Sequence, residues 1–85
     1  MTDSQRKLIK KFLSEPEKIT FNECERLLRS FGYEPKKIRG ADQKFHKKGA
    51  YPINVPIPKK SRYVKSPYIK RFCKLLELER YIENE

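Results

Sequence analysis

The stretch YPINVPIP, residues 51–58, limits the fold more than any other part of this chain. Tyr51, Ile53, Val55 and Ile57 alternate with Pro52, Asn54, Pro56 and Pro58, the period-2 pattern of a strand with one buried face. Proline has no amide hydrogen, and the amides of a strand point alternately to its two lateral sides. Pro52, Pro56 and Pro58 therefore remove donors from one side only. A central strand cannot tolerate that, so this segment is predicted at a sheet edge, where the same prolines hinder pairing with another chain.

The strands that complete the sheet precede it. Lys48-Gly49 reads as a hairpin turn, Asp42 to Lys47 as a strand, Gly40-Ala41 as a turn, and Tyr33 to Arg39 as a strand weakened by Pro35. Helices flank this meander. SQRKLIKKFLSEP places Leu8, Ile9, Phe12 and Leu13 on one stripe and stops before Pro16. Thr20-Phe-Asn-Glu23 is a capping box, followed by an apolar stripe of Phe21, Cys24, Leu27, Leu28 and Phe31, with Gly32 as a left-handed stop. Ser66-Pro67 reads as an N-cap and first-turn proline; Ile69, Phe72, Cys73 and Leu76 form the last stripe, widened by Leu75 and Tyr81. The expectation is an α+β chain in the order α-α-β-β-β-α, with helices on one face of a three-stranded antiparallel meander. It is read as a single domain over residues 1–85, with a small core, since a chain of this size buries only about 60–65% of its unfolded surface.

Cys24 and Cys73 sit inside apolar helical patterns, and the chain has one histidine and no CxxC, so metal and cofactor sites are not expected. The cysteines read as small buried hydrophobes of a reducing compartment. No apolar run has the length of a signal or a membrane span, and the expectation is a soluble cytoplasmic protein without a membrane partner.

Charge narrows the partner. Lys36, Lys37, Arg39, Lys44, Lys47, Lys48, Lys59, Lys60, Arg62 and Lys65 face a single acid, Asp42, within residues 36–65, so this segment holds nine of the chain's ten net positive charges. The flanks carry mixed signs, as a merely solvated surface does. A field focused in this way suits a polyanion, and nucleic acid is the leading expectation.

Chemistry could sit on the second strand. If Phe45 faces the helices, Asp42, Lys44 and His46 share the other face, where an RNA strand laid across the sheet could meet all three. Asp42 and His46 are four residues apart, about 13 Å along a strand, too far for a direct dyad. Metal-free RNA cleavage needs a base for the 2′-hydroxyl, an acid for the leaving oxygen and cations for the phosphate. Imidazole suits both proton roles near neutrality, and a carboxylate is the poorer base. The bland readings are an exposed histidine beside a turn for His46 and a turn residue bonding its own backbone for Asp42.

The succession LLRSFGYE, IRGADQKFHKKG, YPINVPIPKK and YIKRFCKLLEL resembles the HicA family of small toxins, over about Phe21 to Leu78 within a core of residues 20–82, with the helix in residues 1–15 as an addition. The resemblance implies a fold like that of a double-stranded-RNA-binding domain. It also implies an mRNA-cleaving ribonuclease of a type II toxin–antitoxin system, neutralised by a HicB antitoxin. The family's active segment reads Gly-Ser-His before a strand ending in an aromatic residue. The matching positions are Gly40, Ala41, Asp42 and Phe45, so Ala41 stands for the serine and Asp42 for the catalytic histidine. Three accounts follow: catalysis through Asp42, a transfer of the imidazole role to His46, or a module that binds RNA or antitoxin without cutting. The candidate RNA contacts are Lys36, Lys37, Arg39, Gly40, Lys44, Lys47, Lys48, Lys59, Lys60 and Arg62.

Overall fold

The computed structural model describes residues 2–36, 40 and 42–82. Among them are helices α1 (Asp3–Ser14), α2 (Phe21–Ser30) and α3 (Ser66–Leu75) and strands β1 (Glu34–Pro35), β2 (Asp42–His46) and β3 (Ile53–Pro56). The molecule is α+β, with a three-stranded antiparallel sheet in the order β1-β2-β3.

Thr2 caps α1 by accepting the Gln5 amide at 3.1 Å, and the helix buries Leu8, Ile9 and Phe12. It stops at Ser14, and Pro16 opens a short 3₁₀ turn, Pro16–Lys18, that delivers Ile19 into the core. The capping box of α2 forms as its sequence implies. Thr20 Oγ1 accepts the Glu23 amide at 3.2 Å, while Glu23 Oε1 accepts the Thr20 amide at 2.9 Å. Glu23 also binds Lys11 Nζ at 2.7 Å, which ties α2 to α1. Burial alone would raise the Glu23 carboxyl pKa, but the Lys11 and Thr20 bonds prevail and hold it below the ordinary value. At the other end Gly32 takes φ +92°, its amide bonding Arg29 O and that of Tyr33 bonding Leu28 O. That pair of bonds is a Schellman stop, and it turns the chain into β1.

Register explains how the sheet accommodates its prolines. The Lys36 amide donates to Lys44 O at 2.8 Å, so Lys44 directs its backbone groups toward β1, while Gln43 and Phe45 direct theirs toward Val55 and Ile53 on β3. Pro35, opposite Phe45, and Pro56, opposite Asp42, then have their nitrogens on the open edges, where no ladder bond is lost. The edge position expected of the third strand is what the sheet shows. Gln43, Phe45, Ile53 and Val55 point into a single core with the helices, and the buried Gln43 amide nitrogen is satisfied by the carbonyls of Lys36 and Lys44.

Four expectations are corrected. The first strand is two residues long rather than running from Tyr33 to Arg39, and Lys37 to Arg39 lie outside the described residues, as does Ala41. The third strand is Ile53–Pro56, not Tyr51 to Ile57. Pairing ends at Phe45 opposite Ile53, the carbonyl of Lys47 accepts the Ala50 amide in the turn, and Tyr51 is 90% exposed. Ser66 is already helical and Lys65 is the N-cap residue, because its carbonyl accepts the Tyr68 amide at 3.1 Å and closes the first turn one residue early. Leu75 and Tyr81 do not widen the last stripe. Glu77 adopts a left-handed conformation (φ +50°) after α3 ends, and the 3₁₀ turn Leu78–Tyr81 sends Leu78 into the core, leaving Leu75 and Tyr81 exposed.

Candidate nucleic-acid interface

Side chains on β2 alternate strictly: Gln43 and Phe45 are buried, Asp42 and Lys44 are exposed, and His46 is half-buried. The three residues singled out on this strand therefore share the outer face. Asp42 and His46 remain about 13 Å apart along it, so they form no dyad. Pairing gives each a different neighbour: Pro56 opposite Asp42, Asn54 opposite Lys44, and Glu34 opposite His46. Directly opposite residues hold their Cβ atoms about 4.5–5.5 Å apart. Glu34 is thus the carboxylate within reach of the imidazole, and only the strand register reveals it.

The outer face is of mixed sign. Among the described residues its exposed charges are Lys36 and Lys44 against Glu34 and Asp42. The positive excess lies instead at two margins. One is the β2–β3 turn, with Lys47 and Lys48 exposed beside Tyr51; Lys47 packs its ammonium 5.6 Å from the Tyr33 ring centre. The other is the segment from β3 to α3, where Lys59, Lys60, Arg62 and Lys65 are exposed and the Arg62 guanidinium lies 5.4 Å from the Tyr63 ring centre. β3 lies between the margins, and its four residues alone extend about 13 Å. Gly40 is exposed with φ +61°, and an added Cβ would meet nothing within 4 Å outside its chain neighbours. Lys37 and Arg39 fall outside the described residues.

A groove of about 550 Å³ opens beside the second margin, between residues 56–61, residues 63–66, Tyr68 and Glu17. Its lining joins Glu17 to a stretch some forty positions later, and no local sequence pattern announced it.

The thiols contribute no reactive group. Burial, then the neighbouring Glu23 and Cys73, push Cys24 up to about 12, and burial also raises Cys73, whose Sγ donates to Phe12 O at 3.5 Å. Such thiols stay protonated and unreactive at neutral pH. Among the described residues no three His, Cys, Asp or Glu side chains stand together as a metal site, and no helix is long and apolar enough to cross a membrane.

No protein-family model, curated protein or solved structure matches this chain.

Proposed function

We propose that this chain is a HicA-like toxin of a type II toxin–antitoxin system, built on a double-stranded-RNA-binding-domain-like fold, that binds messenger RNA in the cytoplasm and cuts it without metal. The observation that carries the proposal is the placement of charge. Six of the ten cations in a segment holding nine of the ten net positive charges, Lys47, Lys48, Lys59, Lys60, Arg62 and Lys65, are gathered at two exposed margins beyond the two ends of β3, with His46 on the outer face beside the first of them and Lys44 further along it. A single strand following β3 would rest its phosphates on both margins and pass over Lys44 and His46. Cleavage then proceeds within the strand. His46 accepts the proton of a 2′-hydroxyl, that oxygen attacks the adjacent phosphorus, and the bond to the 5′-oxygen breaks to leave a 2′,3′-cyclic phosphate and a 5′-hydroxyl, with His46 returning its proton to the departing oxygen. Glu34, opposite His46 on the neighbouring strand, is placed to accept the other imidazole N–H when substrate is bound, and Lys44 and Lys48 offset charge on the phosphate.

A second reading, a module that binds RNA or antitoxin without cutting, is favoured by one observation. Asp42 presents an exposed carboxylate where the resembled family carries its catalytic histidine. The experiment that separates the readings incubates the purified chain with single-stranded RNA in EDTA. Cleavage that ends in His46→Ala supports the toxin reading; binding with intact RNA moves the chain to the second, and absence of both removes the toxin reading and leaves only the antitoxin-binding form of the second. A HicB-like acidic antitoxin is expected to compete with RNA for the margins, and its charge should act chiefly on the association rate. RNA that stays bound with unchanged affinity beside such a protein would contradict this partner.

A further inference from the structure

We infer that the groove between β3 and α3 accepts one unpaired base of the RNA strand, and that Glu17 makes it favour a base bearing amino hydrogens, cytosine above uracil. This rests on the RNA-binding reading and names the part of the strand that is read.

The groove's volume of about 550 Å³ lies within the ~300–1,000 Å³ typical of small-ligand pockets, room enough for a nucleoside. Its walls are apolar and aromatic. Ile57 and Pro58 come from the end of the third strand's segment, and Tyr63 and Tyr68 from the approach to α3 and its first turn. Tyr68 is 38% exposed although it is a large ring, and an exposed ring lining an apolar groove offers a stacking surface to a base. Lys59, Lys60 and Lys65 also line the groove, which suits a phosphodiester on either side of an inserted base.

Glu17 distinguishes this occupant from an acidic peptide segment. Among the described residues it is the groove's one carboxylate, carried on the 3₁₀ turn that the fully buried Ile19 anchors just beyond. An acidic side chain entering the groove would meet its charge. A base's amino group would instead donate to it, while the phosphates remain outside with the lysines. Carboxylate recognition of the cytosine N4 amino group is an established pairing, and the uracil O4 acceptor cannot make it.

The test uses labelled 2′-O-methyl hexanucleotides of cytidine and of uridine, which cannot be cut by 2′-hydroxyl attack, with binding followed by fluorescence anisotropy at fixed salt. The cytidine oligomer is expected to bind roughly tenfold more tightly. Glu17→Gln should abolish that preference. Tyr68→Leu should weaken both oligomers by roughly tenfold, whereas Tyr68→Phe, which keeps the stacking ring, should bind as the parent does. Lys47→Gln with Lys48→Gln should weaken both oligomers alike and preserve the preference. Equal binding of the two oligomers by the parent, or a preference that survives Glu17→Gln, overturns base reading. A Tyr68→Leu variant of unchanged affinity, beside a weakened lysine variant, overturns the groove as the base site and leaves the RNA-binding reading standing. Failure of the parent to bind either oligomer removes both. If an alternating Glu-Leu peptide shifts the Tyr68 NMR signals and the cytidine oligomer does not, the groove is a protein-docking site and the inference fails.

Discussion

Phe45→Ala measures the register on which every assignment of the outer face depends. The Phe45 ring is fully buried and its centre lies 6.4 Å from that of Phe21, across the interface between sheet and α2. Removing a buried phenyl group costs about 3–5 kcal/mol, because the lost transfer energy is joined by that of the cavity left behind. Stabilities of about 0.05–0.15 kcal/mol per residue give roughly 4–13 kcal/mol for a chain of 85 residues, so the loss takes from about a quarter of the total to all of it. At about 4–8 °C per kcal/mol, the melting temperature should fall by roughly 12–40 °C. Lys44→Ala and His46→Ala, on the opposite face, should each stay within about 0.5 kcal/mol of the parent. Thermal melts followed by circular dichroism, with urea titrations to check that the m-value holds, decide the matter. If His46→Ala costs as much as Phe45→Ala, the strand is displaced by one residue and its faces are exchanged.

RNA affinity should fall steeply with salt: displacing counterions from about four to six phosphates of a single strand gives a log–log slope of roughly −3 to −4, and a flat dependence would refute the polyanion partner. Stability should fall in acid partly through Glu23. Its lowered pKa contributes stability that is fully present above the ordinary carboxylate range and lost as pH drops through the folded-state value, so Glu23→Gln should flatten the acid limb of a urea-midpoint profile. Asp42→His should raise or create RNA cleavage in EDTA, since a placed general base is worth about 10²–10⁴ in rate and the change also removes a negative charge from the strand's path. If His46→Ala abolishes a robust parental activity and Asp42→His adds nothing, the reacting phosphate lies over His46 alone.

What the sequence revealed of the fold was set within a turn or a single strand. The capping box needs only Thr20 and Glu23, the Schellman stop needs Gly32, and the edge strand needs the spacing of Pro52, Pro56 and Pro58. What it concealed was decided by tertiary competition. Leu75 and Leu78 fit helical stripes about equally well, and the left-handed turn at Glu77 selects Leu78 for the core. Tyr51 continues the alternation of Ile53 and Val55, yet the ladder has ended before it and the ring faces solvent. The same division holds for the site. Alternation alone put Asp42, Lys44 and His46 on one face; Glu34 joined His46 only once β1 was paired, and the groove needed Glu17 brought against residues some forty positions later.

Both edges of the sheet also limit how a partner can bind. Pro35 on β1 and Pro56 on β3 each withhold the donor that would point away from β2, as the Lys36–Lys44 bond and the register require. An extended peptide that adds as a fourth strand would lose main-chain bonds on either side, which weakens the usual route by which proteins recruit one another through sheets. Recognition is left to side chains, and among the described residues the outer face between the edges balances Lys36 and Lys44 against Glu34 and Asp42. A ligand held by that face alone would gain little from charge. A ligand held at both margins must reach past β3, whose four residues alone extend about 13 Å, and must carry negative charge at each end of the crossing. It must also tolerate an uncharged or weakly acidic stretch between them. A flexible single strand of RNA meets these conditions with its backbone and still presents bases to the tyrosine-lined groove; a compact anion meets only one margin at a time.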